Sequence, residues 1–298
     1  MAMMRDIKRR IKSVTNIRQI TRAMKMVAAA KLNRAQSRML NMRPYAREIE
    51  RILMRILPEL SALDHPLLDE HKDVKKVGAL IISSDRGLCG GFNTNLVRKF
   101  NSFTKDNSDR KIRCFAVGGK IERFLARSRV EVISNYTEVM DDLSYSLADK
   151  ISEKINTAFC KGEIEEVYLI YNEFKSVLTQ KLVVRKILPF DIVQLKTIIT
   201  PEERSGKENE SDVFEYEPED TAQMANLLLP RYLSTMIYRA LLESYASELS
   251  ARMTAMGNAT QNAEDMITSL TLTYNKVRQA AITKEIIEIV GGAEALRG

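Results

Sequence analysis

Apolar residues recur at alternating four- and three-residue spacing toward both ends of this 298-residue chain, and a seam of that kind is stable only against a partner helix. From Ala35 the series continues through Met39, Met42, Ala46, Ile49, Leu53 and Ile56, with steps of 4, 3, 4, 3, 4 and 3. A matching series near the other end, Ala263, Ile267, Leu270, Tyr274, Val277 and Ala281, is preceded by Leu229, Leu233, Met236 and Ala240. Two seams in one chain predict a long antiparallel two-helix coiled coil, residues 1–60 against 222–290, followed by a tail over 291–298. Typical globular helices run roughly 8 to 20 residues, whereas 55 residues at about 1.5 Å each reach on the order of 80 Å. That length favours a shaft over an amphipathic helix lying on a compact core.

Nearer the start the pattern is less regular. Ile7, Ile11, Val14, Ile17, Ile20, Met24 and Val27 step 4, 3, 3, 3, 4 and 3. A break of this kind predicts locally altered supercoiling around Ile17 and Ile20. Pro44, Pro230 and Gly257 lie on or beside the seams and weaken them.

The net charge of +7 is unevenly placed, because residues 1–55 hold 15 Lys and Arg against Asp6, Glu48 and Glu50. An excess of +12 in one helix suits nucleic acid, an anionic surface or acidic protein loops, and also an ordinary solvated face. A basic coiled-coil protein that binds nucleic acid is the alternative function. Against it, the basic residues are spread around the helix, and with no aromatic residue before Tyr45 base stacking has no platform. Cys89, Cys114 and Cys160 lack metal-ligand spacing and read as reduced thiols. The opening MAMMRDIKRR has no apolar core of a signal peptide, and no run of 18 apolar residues occurs. A cytoplasm-facing chain is the expectation.

Between the helices, over 74–195, short β-rich runs replace the helical spacing. They are Val77–Ser83, Arg113–Val117, Val130–Ile133, Glu166–Tyr171 and Lys181–Ile187, with helix-like segments near 93–106, 119–127 and 144–161. Strand and helix in alternation predict a Rossmann-like α/β domain with a mainly parallel sheet. The first strand runs into SSDRGLCGGF, whose Gly87, Gly90 and Gly91 permit a tight strand-to-helix turn. That loop lacks both G-x-G-x-x-G spacing and a G-K-[ST] ending, so it does not read as a phosphate cradle. Cys89 has no base spaced to activate it, since the two histidines, His65 and His71, lie in an inter-element loop. Asp141-Asp142 reads as a solvated turn. No catalytic constellation, cofactor site or metal site is expected. Residues 196–221 are acidic and predict a mobile loop, with Phe214, Tyr216 and Pro218 embedded in it.

Five stretches then bear on family. The opening DIKRRIKSVTNIRQITRAMKMVAAAKL, RPYA, the loop SDRGLCGGFN, the segment RYLSTMIYRALLESYASELSARMTAM and the ending LTLTYNKVRQAAITKEIIEIVGGAEAL occur in one order over nearly the whole chain. Together they resemble the gamma subunit of rotary, F-type ATP synthases, bacterial type. The resemblance implies a non-catalytic central-stalk rotor that carries torque between a membrane c-ring and catalytic beta subunits, so that proton flow drives ATP synthesis. Implied partners are the hexamer of alpha and beta subunits, the epsilon subunit and the c-ring, with no cofactor and no nucleic acid. The implied place is the cytoplasmic side of the cell inner membrane, as a peripheral protein. Carried over by motif, Arg278, Gln279 and Thr283 in VRQAAIT, Arg252 in SARMTAM, Met24 in TRAMKMV and Arg86 in SDRGLCGG are the implied beta-subunit contacts. Tyr216 and Glu217 in EYEPE are the implied contacts to c-ring and epsilon. Lys25 adds a charge beside Met24 that would strengthen the hold on acidic beta loops.

Overall fold

A computed structural model describes residues 2–60, 65–69, 71, 73–128, 130–191 and 221–295. They fall into two compact units, Lys31–Ala251 and Met1–Ala30 with Arg252–Gly298. Helices α1 (Ala2–Leu60) and α5 (Thr221–Ala295) each contribute to both.

The Lys31–Ala251 unit is built on strands β1 (Lys76–Ile82), β2 (Lys111–Val117), β3 (Glu131–Tyr136), β4 (Glu166–Phe174) and β5 (Gln180–Leu188). Their order in the sheet is β3-β2-β1-β4-β5. The first four run parallel and β5 closes the edge antiparallel to β4. Between the strands come α2 (Phe92–Asp106), α3 (Gly119–Leu125), a single 3-10 turn at Met140–Asp142 and α4 (Tyr145–Cys160). The strand and helix alternation legible in the sequence is therefore present, with β3 running to Tyr136, beyond the expected Ile133.

Strand β1 is a nearly continuous apolar run because both faces of the sheet are covered, the usual condition of parallel strands. Its pleat sends Val77, Ala79 and Ile81 into one core with Leu96 and Phe100 of α2 and Ile121 of α3. Leu80 and Ile82 point the other way, into a larger core with Ile151 of α4, Leu53 of α1 and Leu241 of α5. Each such side chain contributes about 1.5–3 kcal/mol on full burial.

Residues 31–60 of α1 bury Leu32, Ala35, Ala46, Ile49, Leu53, Ile56 and Leu60, with Met39 and Met42 partly covered. That is the expected seam, extended by one step at each end. Helix α5 is enclosed on every side from Ala240 through Ser250.

In the other unit, residues 2–30 pair with the part of α5 from 252 to 281. The Thr260 hydroxyl donates to Thr21 Oγ1 at 2.9 Å, and Gly257 faces the end of the Lys25 side chain. Partner numbers fall on α5 as they rise on α1, so the helices run antiparallel. On α5 the covered positions include the whole expected seam, Ala263, Ile267, Leu270, Tyr274, Val277 and Ala281, which Met256 and Thr260 extend toward Arg252.

The irregular stepping expected on α1 falls on other residues. Ile17, Ile20 and Val27 are 49%, 60% and 56% exposed, and the covered residues include Ile7, Ile11, Val14, Arg18, Thr21, Met24 and Ala28. That set steps 4, 3, 4, 3, 3 and 4, so the stepping is irregular between Arg18 and Met24, and Lys25 beside it is exposed. Hydrophobicity alone assigns isoleucines to the seam. The register inherited from the rest of the heptad overrides it and leaves polar side chains inside.

Candidate functional site

In doubly wound sheets, ligands bind outside the carboxyl ends of the strands where the strand order reverses. Here that place lies beyond β1 and β4, and α5 occupies it. Ser244 Oγ donates to the Ile82 carbonyl at 3.4 Å, and Ser247 Oγ to the Asn172 carbonyl at 3.0 Å. Ser250 Oγ, the third serine of the row, bonds the Val177 carbonyl in the β4–β5 turn. Serines at i, i+3 and i+6 share one face of a helix. Short side chains there let the helix approach main-chain carbonyls that would otherwise accept from a ligand or water.

The loop after β1 is closed in the same sense. The Asp85 carboxylate accepts from the Gly119 N–H at 2.9 Å through Oδ1, from the Glu138 N–H at 2.9 Å, and through Oδ2 from the Met140 N–H at 3.1 Å. A helix N-terminus attracts anions, and at α3 the protein supplies its own. Gly118, φ +94°, permits the close approach, since a Cβ there would stand 2.3 Å from the Ser83 carbonyl oxygen. Ser84 and Asn93 bond each other across the loop at 2.8 Å, with Asn93 Nδ2 also 3.1 Å from Cys89 Sγ. Cys89 is a buried member of a turn network. Arg86 is exposed at the tip, beside Leu88, which is 63% exposed with φ +64°.

Asp141 corrects the reading of a merely solvated turn. It accepts from Lys31 Nζ at 2.7 Å and from the Tyr245 hydroxyl at 3.0 Å, joining α1 and α5 to the 3-10 turn. The Lys31 hydrogen bond, then that from Tyr245 and the charges of Lys31 and Arg86, hold its carboxyl below the usual range despite partial burial. Neither Asp85, Asp141 nor the serine row was singled out for a role from the sequence. The i, i+3, i+6 spacing of Ser244, Ser247 and Ser250, beside Leu241, Leu242 and Leu249, was the available signal.

The remaining sequence-derived candidates lie in the two-helix unit. Met24 and Arg252 are half-buried, next to the polar part of the seam. Arg278, Gln279 and Thr283 are exposed, and Arg278 makes no hydrogen bond or ion pair among the described residues. By the register of Thr21 with Thr260, the first residues of α1 face α5 near 278 and 279. Covered positions on α5 stop at Ala281, and Ile282, Ile286, Ile287, Ile289 and Val290 are all exposed. Arg278 and Gln279 therefore stand where the helix pair gives way to a single helix. Tyr216 and Glu217 lie outside the described residues, as do Phe214 and Pro218. Among the described residues no cluster of three or more His, Cys, Asp or Glu could hold a metal ion, and no helix is long and apolar enough to cross a membrane.

A Rossmann-like head whose ligand crevice is filled by its own helix, in a chain whose other unit is a pair of helices, defines a protein that acts through surfaces. A family model described as ATP synthase matches residues 3–296. The ATP synthase gamma chain of Heliobacterium modesticaldum is 45% identical over 293 residues, covering 98% of this chain and 99% of that one. That of Desulfitobacterium hafniense is 45% identical over 296 residues, covering 99% and 100%. The chain belongs to the ATP synthase gamma-chain family, which supplies a non-catalytic central-stalk subunit. Among solved structures, a chain of the Tetrahymena thermophila mitochondrial ATP synthase central stalk and c-ring matches with a TM-score of 0.58 and 25% identity, over 80% of this chain and 99% of that one. A chain of the Euglena gracilis mitochondrial enzyme shares the fold, with a TM-score of 0.66 at 20% identity over 99% and 95%.

Proposed function

We propose that this chain is the rotor of a proton-translocating ATP synthase, transmitting torque between the c-ring and the catalytic beta subunits. The observation that carries the reading is the exposed Arg278 at the end of the helix pair, which has no ion pair among the described residues, in a chain that matches gamma chains over its full length. An arginine in that position offers an acidic loop a charge-assisted hydrogen bond of about 1.5–3 kcal/mol. Such a bond is strong enough to push on a neighbour and weak enough to release it. Gln279, Thr283, Arg252, Met24 and Arg86 are assigned to the same beta-subunit contacts, and Tyr216 and Glu217 to the c-ring and epsilon subunit. The shaft helices are 1–60 and 222–290, the head 74–195, the foot loop 196–221 and the tail 291–298. Its place is the cytoplasmic face of the inner membrane, held there through the complex, with alpha and beta subunits around the shaft.

The test is an assembled complex carrying Arg278→Ala with Gln279→Ala. Lower ATP synthesis with intact assembly is expected, and unchanged synthesis together with unchanged proton pumping sinks the contact assignment. Subunit counting in the same complex should find one copy of this chain, and three copies sink the rotor itself.

A further inference from the structure

The Lys31–Ala251 unit contains a cavity of about 390 Å3 between α1, the β4–β5 hairpin and α5. The volume is at the small end of ligand pockets. Much of the wall is apolar, from Leu169, Ile187, Pro189, Phe190 and Met236. Tyr171 and Tyr232 also line it, with side chains so deep that the residues are only 3% and 2% exposed. Neither hydroxyl has a hydrogen-bond partner among the described residues, and neither is sealed away from the cavity. Buried hydroxyls in proteins nearly always find a partner, so two on one wall call for an acceptor from outside. Burial pushes both phenols above the ordinary tyrosine range. They stay protonated near neutral pH and act as donors.

The charges lining the same space are not balanced evenly. Lys186 is held by Glu166 at 2.8 Å and Arg239 by Glu243 at 2.8 Å. Arg185 makes no hydrogen bond or ion pair among the described residues, yet its charge acts on both phenols. Glu50 and Asp191 line the cavity as well, each engaged in interactions of its own. An incoming group thus meets three donor side chains without acceptors among the described residues, one of them the Arg185 cation, while Glu50 and Asp191 oppose a second negative charge.

We propose that this cavity binds a small amphipathic monocarboxylate, its head between Arg185 and the Tyr171 and Tyr232 hydroxyls and its acyl or aryl body against Leu169, Phe190 and Met236. A dianionic phosphate monoester of the same length fits less well, because Glu50 and Asp191 repel the additional charge. The proposal stands apart from the rotor reading and survives or falls without it.

The test is calorimetric titration of the full chain with sodium decanoate, 1-decanol and decyl phosphate. Saturable one-to-one binding of decanoate is expected, at least about tenfold tighter than either comparator. Arg185→Gln should weaken decanoate about tenfold while leaving 1-decanol unchanged. Tyr171→Phe and Tyr232→Phe, which remove only the hydroxyl, should each weaken it about threefold. The thermal midpoint of Arg185→Gln should equal that of the parent, since the residue is exposed and has no hydrogen-bond or ion-pair partner among the described residues. Unsaturable uptake, equal affinity for 1-decanol, no binding up to about 10 mM, or decanoate affinity unchanged in both Arg185→Gln and Tyr232→Phe overturns the proposal.

Discussion

Lys25 lies over Gly257 across the helix pair: a Cβ built at 257 would stand 3.7 Å from both Cε and Nζ of the lysine. The lysine is exposed and its stem runs along the facing helix at the glycine. The ammonium stays in water while the methylene stem covers the gap.

The same contact distance is ordinary van der Waals spacing, so Gly257→Ala needs no rearrangement. It also removes a helix-interior glycine. Gly257→Ala should therefore stabilise the chain by about 0.5–1 kcal/mol, read as a higher urea midpoint at unchanged slope. A lower midpoint would show that Lys25 needs the space.

Thr21 and Thr260 form the polar rung beside that glycine. Thr21 Oγ1 donates to the Arg18 carbonyl at 3.0 Å while accepting from Thr260, whose hydroxyl also lies 2.7 Å from the Met256 carbonyl. Each threonine thus has a second partner on its own helix. Thr21→Val and Thr260→Val should each cost about 0.5–1 kcal/mol, and the double variant should cost less than their sum. Strict additivity in a double-mutant cycle would mean that the rung carries no coupling.

How much could be read from the chain itself depended on which force chose each position. The strands were visible because β-branched runs between turn residues are what a sheet covered on both faces requires, as in Val77–Ile82. The seam from Ala35 to Ile56 was visible because apolarity and register agree there. Around Arg18 and Thr21 they disagree, and apolarity pointed to Ile17, Ile20 and Val27, which face outward. Asp141 looked like a surface turn because its partners, Lys31 and Tyr245, are 110 and 104 residues away in sequence. Arg278 and Gln279 came from motif resemblance, and the structure adds only that the pair ends beside them.

Asp141 gives a pH dependence of definite sign. Its folded-state pKa lies below the usual range, so the stabilisation is complete above the unfolded value of about 3.9 and fades as pH falls through the lower folded value. The side chain is 52% exposed, which discounts the effect. Asp141→Asn should cost about 0.5–1 kcal/mol at pH 7, with the difference from the parent shrinking once pH drops below about 4. Denaturant titrations across pH 2–7 would check it, and a pH-independent difference would assign the loss to geometry.

Asp85 is the more costly carboxylate to remove. Asp85→Ala leaves the N–H groups of Gly119, Glu138 and Met140 without their acceptor, and should destabilise the chain by about 2–3 kcal/mol. Hydrogen exchange at those three amides should accelerate more than at Ala79 or Leu80 in the adjoining strand. Uniform acceleration throughout β1 would mean global weakening.

The serine row on α5 donates to main-chain carbonyls, those of Ile82, Asn172 and Val177, and Ser250 also accepts from the Gln180 side-chain amide at 3.2 Å. Every residue type offers the same carbonyl at the same place, so these three bonds do not depend on which side chains the sheet carries there. A chimera that fits the helix of one relative to the sheet of another should therefore dock in register even where the two sheets share few residues. For a part that must never slip, an attachment indifferent to sequence drift is a form of heritable insurance.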